Sequence, residues 1–116
     1  MRTILDPENI HSNIKDEVAN FQTDIVQEVS KTVAENYVVL VGMRYNPAVS
    51  KTRDALKNAG IDFVYLEYGS YTSEWQRRLA LKMWTGWPTF PMIFVDQKLV
   101  GGSKDLPALL EKGLDG

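Results

Sequence analysis

Apolar residues recur at spacings of three and four through Ile10, Ile14, Val18, Phe21, Ile25, Val29 and Val33, the one-sided stripe of an amphipathic helix. Asp6-Pro7-Glu8 supplies a start for it: an N-cap residue type, a proline suited to the first helical position and an acid in the first turn. Thr23-Asp24 followed by Gln27 offers a second capping site, so the segment reads either as one long rod or as two helices broken near residue 23. Asn36 ends it. Tyr37 to Val41 is then a continuous apolar run of strand length followed by Gly42, and a strand apolar on both faces belongs in the middle of a covered sheet. Met43 to Pro47 is a short loop ending in an N-cap and an N1 proline, and the helix it starts runs through Val49, Thr52, Leu56 and Ala59 to Gly60.

Asp62 to Glu67 is rich in aromatic and branched types and predicts a second strand. Strand, helix and strand over this length imply parallel pairing by a right-handed crossover. After Gly69-Ser70, Thr72 and Ser73 are candidate caps for a helix through Trp75, Leu79, Leu81, Met83 and Trp84. Trp87-Pro88-Thr89-Phe90-Pro91 forbids helix and favours extended backbone. Met92 to Val95, a turn at Asp96-Gln97-Lys98 and Leu99-Val100 make a β-hairpin, Gly101-Gly102 bends the chain, and Ser103 or Asp105 caps a last helix ending at Gly113. The expected architecture is α/β, a four-stranded mixed sheet flanked by helices. Residues 1–22 form an N-terminal helical extension to a domain spanning 23–116.

With 116 residues, 44% apolar and 24% charged, the chain has the composition of one globular domain. Thirteen Lys plus Arg against fifteen Asp plus Glu leave a net charge of −2, so nucleic acid is not an expected partner. No stretch nears the roughly 18 apolar residues of a membrane span, and no apolar signal core opens the sequence; the expectation is a cytoplasmic protein without a membrane partner. Cysteine is absent and His11 is the single histidine, which removes thiol nucleophiles, cysteine-type zinc sites and multi-histidine metal sites. His11 reads as a solvated helix residue, Tyr65, Tyr68 and Tyr71 as partly exposed packing, and Trp84 as packing. Trp87, which opens the Trp-Pro motif, reads either as packing or as part of a binding platform.

The topology, with a proline opening the third strand, resembles the thioredoxin fold, and its details resemble the glutaredoxin family, especially the monothiol type. The residues that carry the likeness are Trp87-Pro88-Thr89-Phe90-Pro91, the strand Met92 to Asp96, Leu99-Val100-Gly101-Gly102, and the strand Val38 to Val41 before Asn46-Pro47. The resemblance covers about Thr23 to Gly113. It implies that the bond before Pro91 is cis and that the neighbouring peptide groups pair with an extended ligand. It also implies that the family's chemistry sits at the start of the helix after the first strand, where a thiolate is stabilised by the helix dipole and free N–H groups.

On this resemblance the nucleophile's position is Asn46, and the second thiol of dithiol members falls on Val49. Neither carries sulfur, so thiol–disulfide exchange is excluded, and the chain offers no cysteine thiolate to a bridging iron–sulfur cluster. No catalytic residue and no metal site are expected. Ligand contacts are implied at Arg44, Asn46, Arg78, Phe90, Pro91, Gly101, Gly102, Ser103 and Lys104. Met43 replaces a family lysine that pairs with a ligand carboxylate, with Arg44 beside it. Lys104 stands where the family has the acid that receives glutathione's γ-glutamyl ammonium, with Asp105 one place on; like charge replaces opposite charge. The expected function is a non-catalytic binding domain whose groove takes a peptide, a protein or a small thiol such as a glutathione-like molecule, with acidic extended ligands favoured and no cofactor required. The alternative is a glutathione-dependent transferase or an iron–sulfur-assembly accessory protein that uses the thiol of a ligand or partner. The N-terminal stripe is a candidate face for a homodimer.

Overall fold

In the computed structural model, which describes residues 2–113, Val38 to Val41 of the apolar run, with Gly42, become β1 (Val38–Gly42), buried along its whole length, while Tyr37 stays outside it and half-exposed. It pairs in parallel with β2 (Val64–Glu67) after the helix α3 (Pro47–Asn58), and antiparallel with β3 (Met92–Val95). β4 (Lys98–Gly101) completes the order β2-β1-β3-β4. Alternate residues of a strand face opposite sides, and both sides are covered here. Val39, Val41, Met92 and Phe94 pack under α2 (Thr23–Glu35) and α4 (Trp75–Thr85), through Ile25, Val29, Val33, Ala80 and Leu81. Val38, Leu40, Ile93 and Val95 pack on the other side against Leu56 of α3 and Leu106 of α5 (Leu106–Lys112). The hairpin turn is Asp96-Gln97, both at positive φ (50° and 67°), the geometry of a two-residue primed turn. Lys98, expected in the turn, is instead the first residue of β4, opposite Val95.

The N-terminal stripe divides. Asp6 does cap, its Oδ1 accepting from the Glu8 N–H at 2.9 Å, but it starts only a single 3₁₀ turn, Pro7–Asn9. His11 is exposed, and its Nδ1 accepts from the Asn13 N–H at 3.0 Å. Such local bonds compete with helix. α1 (Lys15–Asn20) has six residues, and Gln22, at φ 48°, breaks it from α2. Of the two alternatives, one rod or a broken one, the broken one is observed. Ile14 and Val18 remain largely exposed, so only the part of the stripe from Phe21 onward reaches the core.

Two further expectations are corrected. Thr72 and Ser73 do not cap α4: Ser73 Oγ accepts from the Ser70 N–H inside the preceding turn, and the residue before the helix is Glu74 at φ 55°. In α4 the inward residues are Arg78, Ala80 and Leu81, while Trp75, Leu79, Met83 and Trp84 are exposed. Trp84 still stacks on Phe94, with ring centroids 6.3 Å apart. Tyr68, read as partly exposed, is buried. Among the described residues no helix is long and apolar enough to cross a membrane. The outer limits of the expected domains, residues 1 and 116, lie outside the described residues.

Candidate functional site

The registers Val41↔Met92 and Ile93↔Gly101 bring the end of β1, the start of β3 and the end of β4 to one end of the sheet. Three loops therefore meet there. In the first, Asn46 takes extended backbone and its Oδ1 accepts from the Val49 N–H at 3.2 Å, with Pro47 in the first turn of α3. This is a complete N-cap. Val49, expected from the sequence resemblance at the second thiol position, is 2% exposed and belongs to the core. In the second loop the Phe90–Pro91 peptide bond is cis, and both residues are buried. The third is the bend after β4.

That bend depends on the absence of side chains. Gly101 has φ 129°, and a Cβ there would lie 2.2 Å from Asp105 Oδ2. Asp105 folds back over it to accept from the Gly102 N–H at 2.8 Å. A Cβ on Gly102 would stand 3.2 Å from the Pro91 carbonyl oxygen and 3.3 Å from Trp87 Nε1, so the Pro91 loop packs directly on this backbone. Trp87 Nε1 is buried there without a hydrogen-bond partner among the described residues.

Between the second and third loops lies a cleft of about 360 Å³. Phe90, Gly102, Ser103 and Lys104, all expected from the sequence to meet a ligand, line it. Trp87, Thr89 and Asp105 complete the wall. Of these, Asp105 changes the electrostatics, because a carboxylate stands beside Lys104 and the cleft carries both signs of charge. One of its oxygens is already held by the bend.

Pro91 and Gly101 form the backbone beneath this cleft without lining it, and Asn46 is outside its wall. Arg44 points elsewhere: its Nε lies 3.7 Å from Glu67 Oε2 at the end of β2. Arg78 is 7% exposed, and its Nη1 donates to the carbonyls of Tyr68, at 2.9 Å, and Ser73. Its guanidinium braces the 68–73 loop. Nearby, burial and then the Glu67 carboxylate push the Tyr65 phenol up to about 12, with Tyr65 Oη donating to Glu67 Oε1 at 3.1 Å. Among the described residues no group of three or more His, Asp or Glu side chains is placed to hold a metal ion. With no cysteine in the chain, the donor set does not fit an iron–sulfur cluster either.

A helix-flanked sheet of this order, with a cis-proline loop and a glycine bend at one end, defines a thioredoxin-like fold. The wheat glutaredoxin structure aligns with a TM-score of 0.67 at 26% identity over 79% of this chain and 85% of its own. A buckwheat glutaredoxin–glutathione complex aligns with a TM-score of 0.70 at 21% identity, covering 81% and 86%. A glutaredoxin-like protein of Dictyostelium discoideum is 48% identical over 101 residues, 87% of this chain and 82% of its own. The family model described as glutaredoxin matches residues 38–100, and the chain belongs to the glutaredoxin family.

Proposed function

We propose that this protein is a glutaredoxin-fold binding domain that holds an extended, peptide-like ligand in the cleft between Phe90 and the Gly102–Asp105 bend and exchanges no electrons with it. The observation that supports the reading is Asn46, an amide that caps α3 in a chain without cysteine, where the resemblance puts the family thiol. Exchange requires a sulfur that attacks and is attacked, whereas binding in the cleft needs only its walls. Lys104 favours a ligand that brings a carboxylate, not an ammonium, to the bend. Asp105 opposes this less than an unengaged acid would, since one of its oxygens accepts from the Gly102 N–H.

Amide NMR titrations with glutathione and with N-acetylglutathione, which lacks the ammonium, test this reading. Saturable shifts at Thr89, Phe90, Gly102 and Ser103 are expected with both, the acetylated form binding up to about fivefold more tightly, as one exposed charge contact allows. Lys104→Asp is expected to reverse that order. Shifts absent from these residues with either compound would overturn the reading.

A further inference from the structure

On the other side of Lys104 the structure opens a second cleft, between α3 and α5, of about 370 Å³. Its size falls in the range of small-molecule sites. Ala55, Leu106, Pro107 and Leu110 make its walls apolar. Thr52, 1% exposed at its base, already donates its hydroxyl to the Ala48 carbonyl at 2.8 Å. The charged lining residues are Lys51 of α3 and Lys104 of the Ser103–Asp105 turn, with Ser103 beside the latter.

The charge there is one-sided. Neither lysine takes part in an ion pair among the described residues, and no Asp or Glu lines the cleft. Asp54, one turn along α3 from Lys51, is absent from the lining, and Asp105 is turned onto the Gly102 N–H. In a chain of net charge −2, two unpaired ammonium groups over an apolar floor select an occupant that is apolar in its body and anionic at one end.

We propose that the α3–α5 cleft is a binding site for an apolar monocarboxylate, an alkyl or aryl-alkyl acid whose carboxylate lies between Lys51 and Lys104 and whose body rests on Leu106 and Leu110. This cleft is distinct from the peptide groove in its α3 and α5 walls, and Ser103 and Lys104 line both. Occupancy of one therefore touches the side chains of the other.

The test uses octanoate and octylammonium, which share a chain length and differ in the sign of the head group, titrated into the full chain and followed by amide NMR. Octanoate is expected to give saturable shifts at Lys51, Ala55, Lys104 and Leu110, with octylammonium at least about fivefold weaker. Lys51 lies outside the groove lining, so Lys51→Glu is expected to weaken octanoate about fivefold while leaving glutathione-induced shifts at Thr89 and Phe90 as in the wild type. The proposal is overturned if octanoate gives no saturable shifts at these residues. It is equally overturned if the two head groups bind alike, a comparison made on the wild-type chain whatever the fate of the variant, or if a folded Lys51→Glu protein binds octanoate unchanged.

Discussion

The start of α3 and the bend after β4 lie at the same end of the sheet and are held by different means. At Asn46, where the resemblance to the family puts a thiol, a hydrogen-bonded amide cap holds the helix start. At Gly101–Asp105 the shape is held by steric necessity, since a side chain at Gly101 would collide with Asp105 and one at Gly102 would press on the Pro91 carbonyl and Trp87. On the proposed function, groove shape and thiol chemistry are separable in this fold. The first depends on backbone packing at the sheet end, the second on one side chain.

Substitutions on the two sides should differ accordingly. The largest effect is expected from Gly101→Ala, which places a Cβ at φ 129° against Asp105; a loss of about 2–3 kcal/mol in chemical denaturation is expected, with groove shifts lost as well. Wild-type stability would show that the bend is adaptable. Arg78→Met comes next, because it strips the donor from the Tyr68 and Ser73 carbonyls and should cost about 2 kcal/mol, read in the same denaturation experiment. A further expectation for it is that groove affinity holds, since Arg78 braces a loop and does not line the cleft. Asn46→Ala should cost about 1 kcal/mol by loss of the cap and leave groove binding within about twofold, a difference smaller than one exposed contact.

The smallest effect is a pH dependence. The Tyr65 phenol is raised to about 12, first by burial and then by Glu67, and burial with the Glu28 carboxylate raises Tyr68 as well. Unfolded phenols titrate at about 10, so above that pH the folded chain retains protons that the unfolded chain loses. Stability is full below about pH 10 and falls as pH rises through the folded values. Urea melts at about pH 9 and about pH 11 should show the decline, and Tyr65→Phe should flatten part of it; an unchanged slope in the variant would assign the decline to other groups.

How much of the fold was legible in the sequence depends on how local the determining physics is. β1 could be read because a run of five buried residues has only one home, the centre of a doubly covered sheet. The Asn46-Pro47 start of α3 was equally local. The stripe at Ile10, Ile14 and Val18 misled because periodicity reports which face is apolar and says nothing about whether a core lies opposite; here Ile14 and Val18 meet solvent. Thr72 and Ser73 had cap chemistry, but the 70–73 turn took the Ser73 hydroxyl first.

At the site, Phe90, Gly102, Ser103 and Lys104 were legible because they sit in two short motifs. Trp87, open in the sequence between packing and binding, lines the same cleft, as do Thr89, in the first motif, and Asp105, just beyond Lys104, whose places in those motifs were signal enough. Arg44 and Arg78 lie outside the cleft lining for a different reason. An offset along the chain fixes where a Cα falls and leaves open which carbonyl or carboxylate a long side chain will reach. In the fold, Glu67 pairs with one of them, and the carbonyls of Tyr68 and Ser73 accept from the other.

The most direct test of the separation between shape and chemistry is a disulfide-reduction assay run side by side on the wild type and Asn46→Cys, with glutathione as reductant and a small mixed disulfide as substrate. The wild type should stay at the uncatalysed background while the single introduced thiol, at a helix N-terminus that lowers its pKa, turns the disulfide over. Catalysis by the cysteine-free chain, or an inert Asn46→Cys protein that folds normally, would contradict the account.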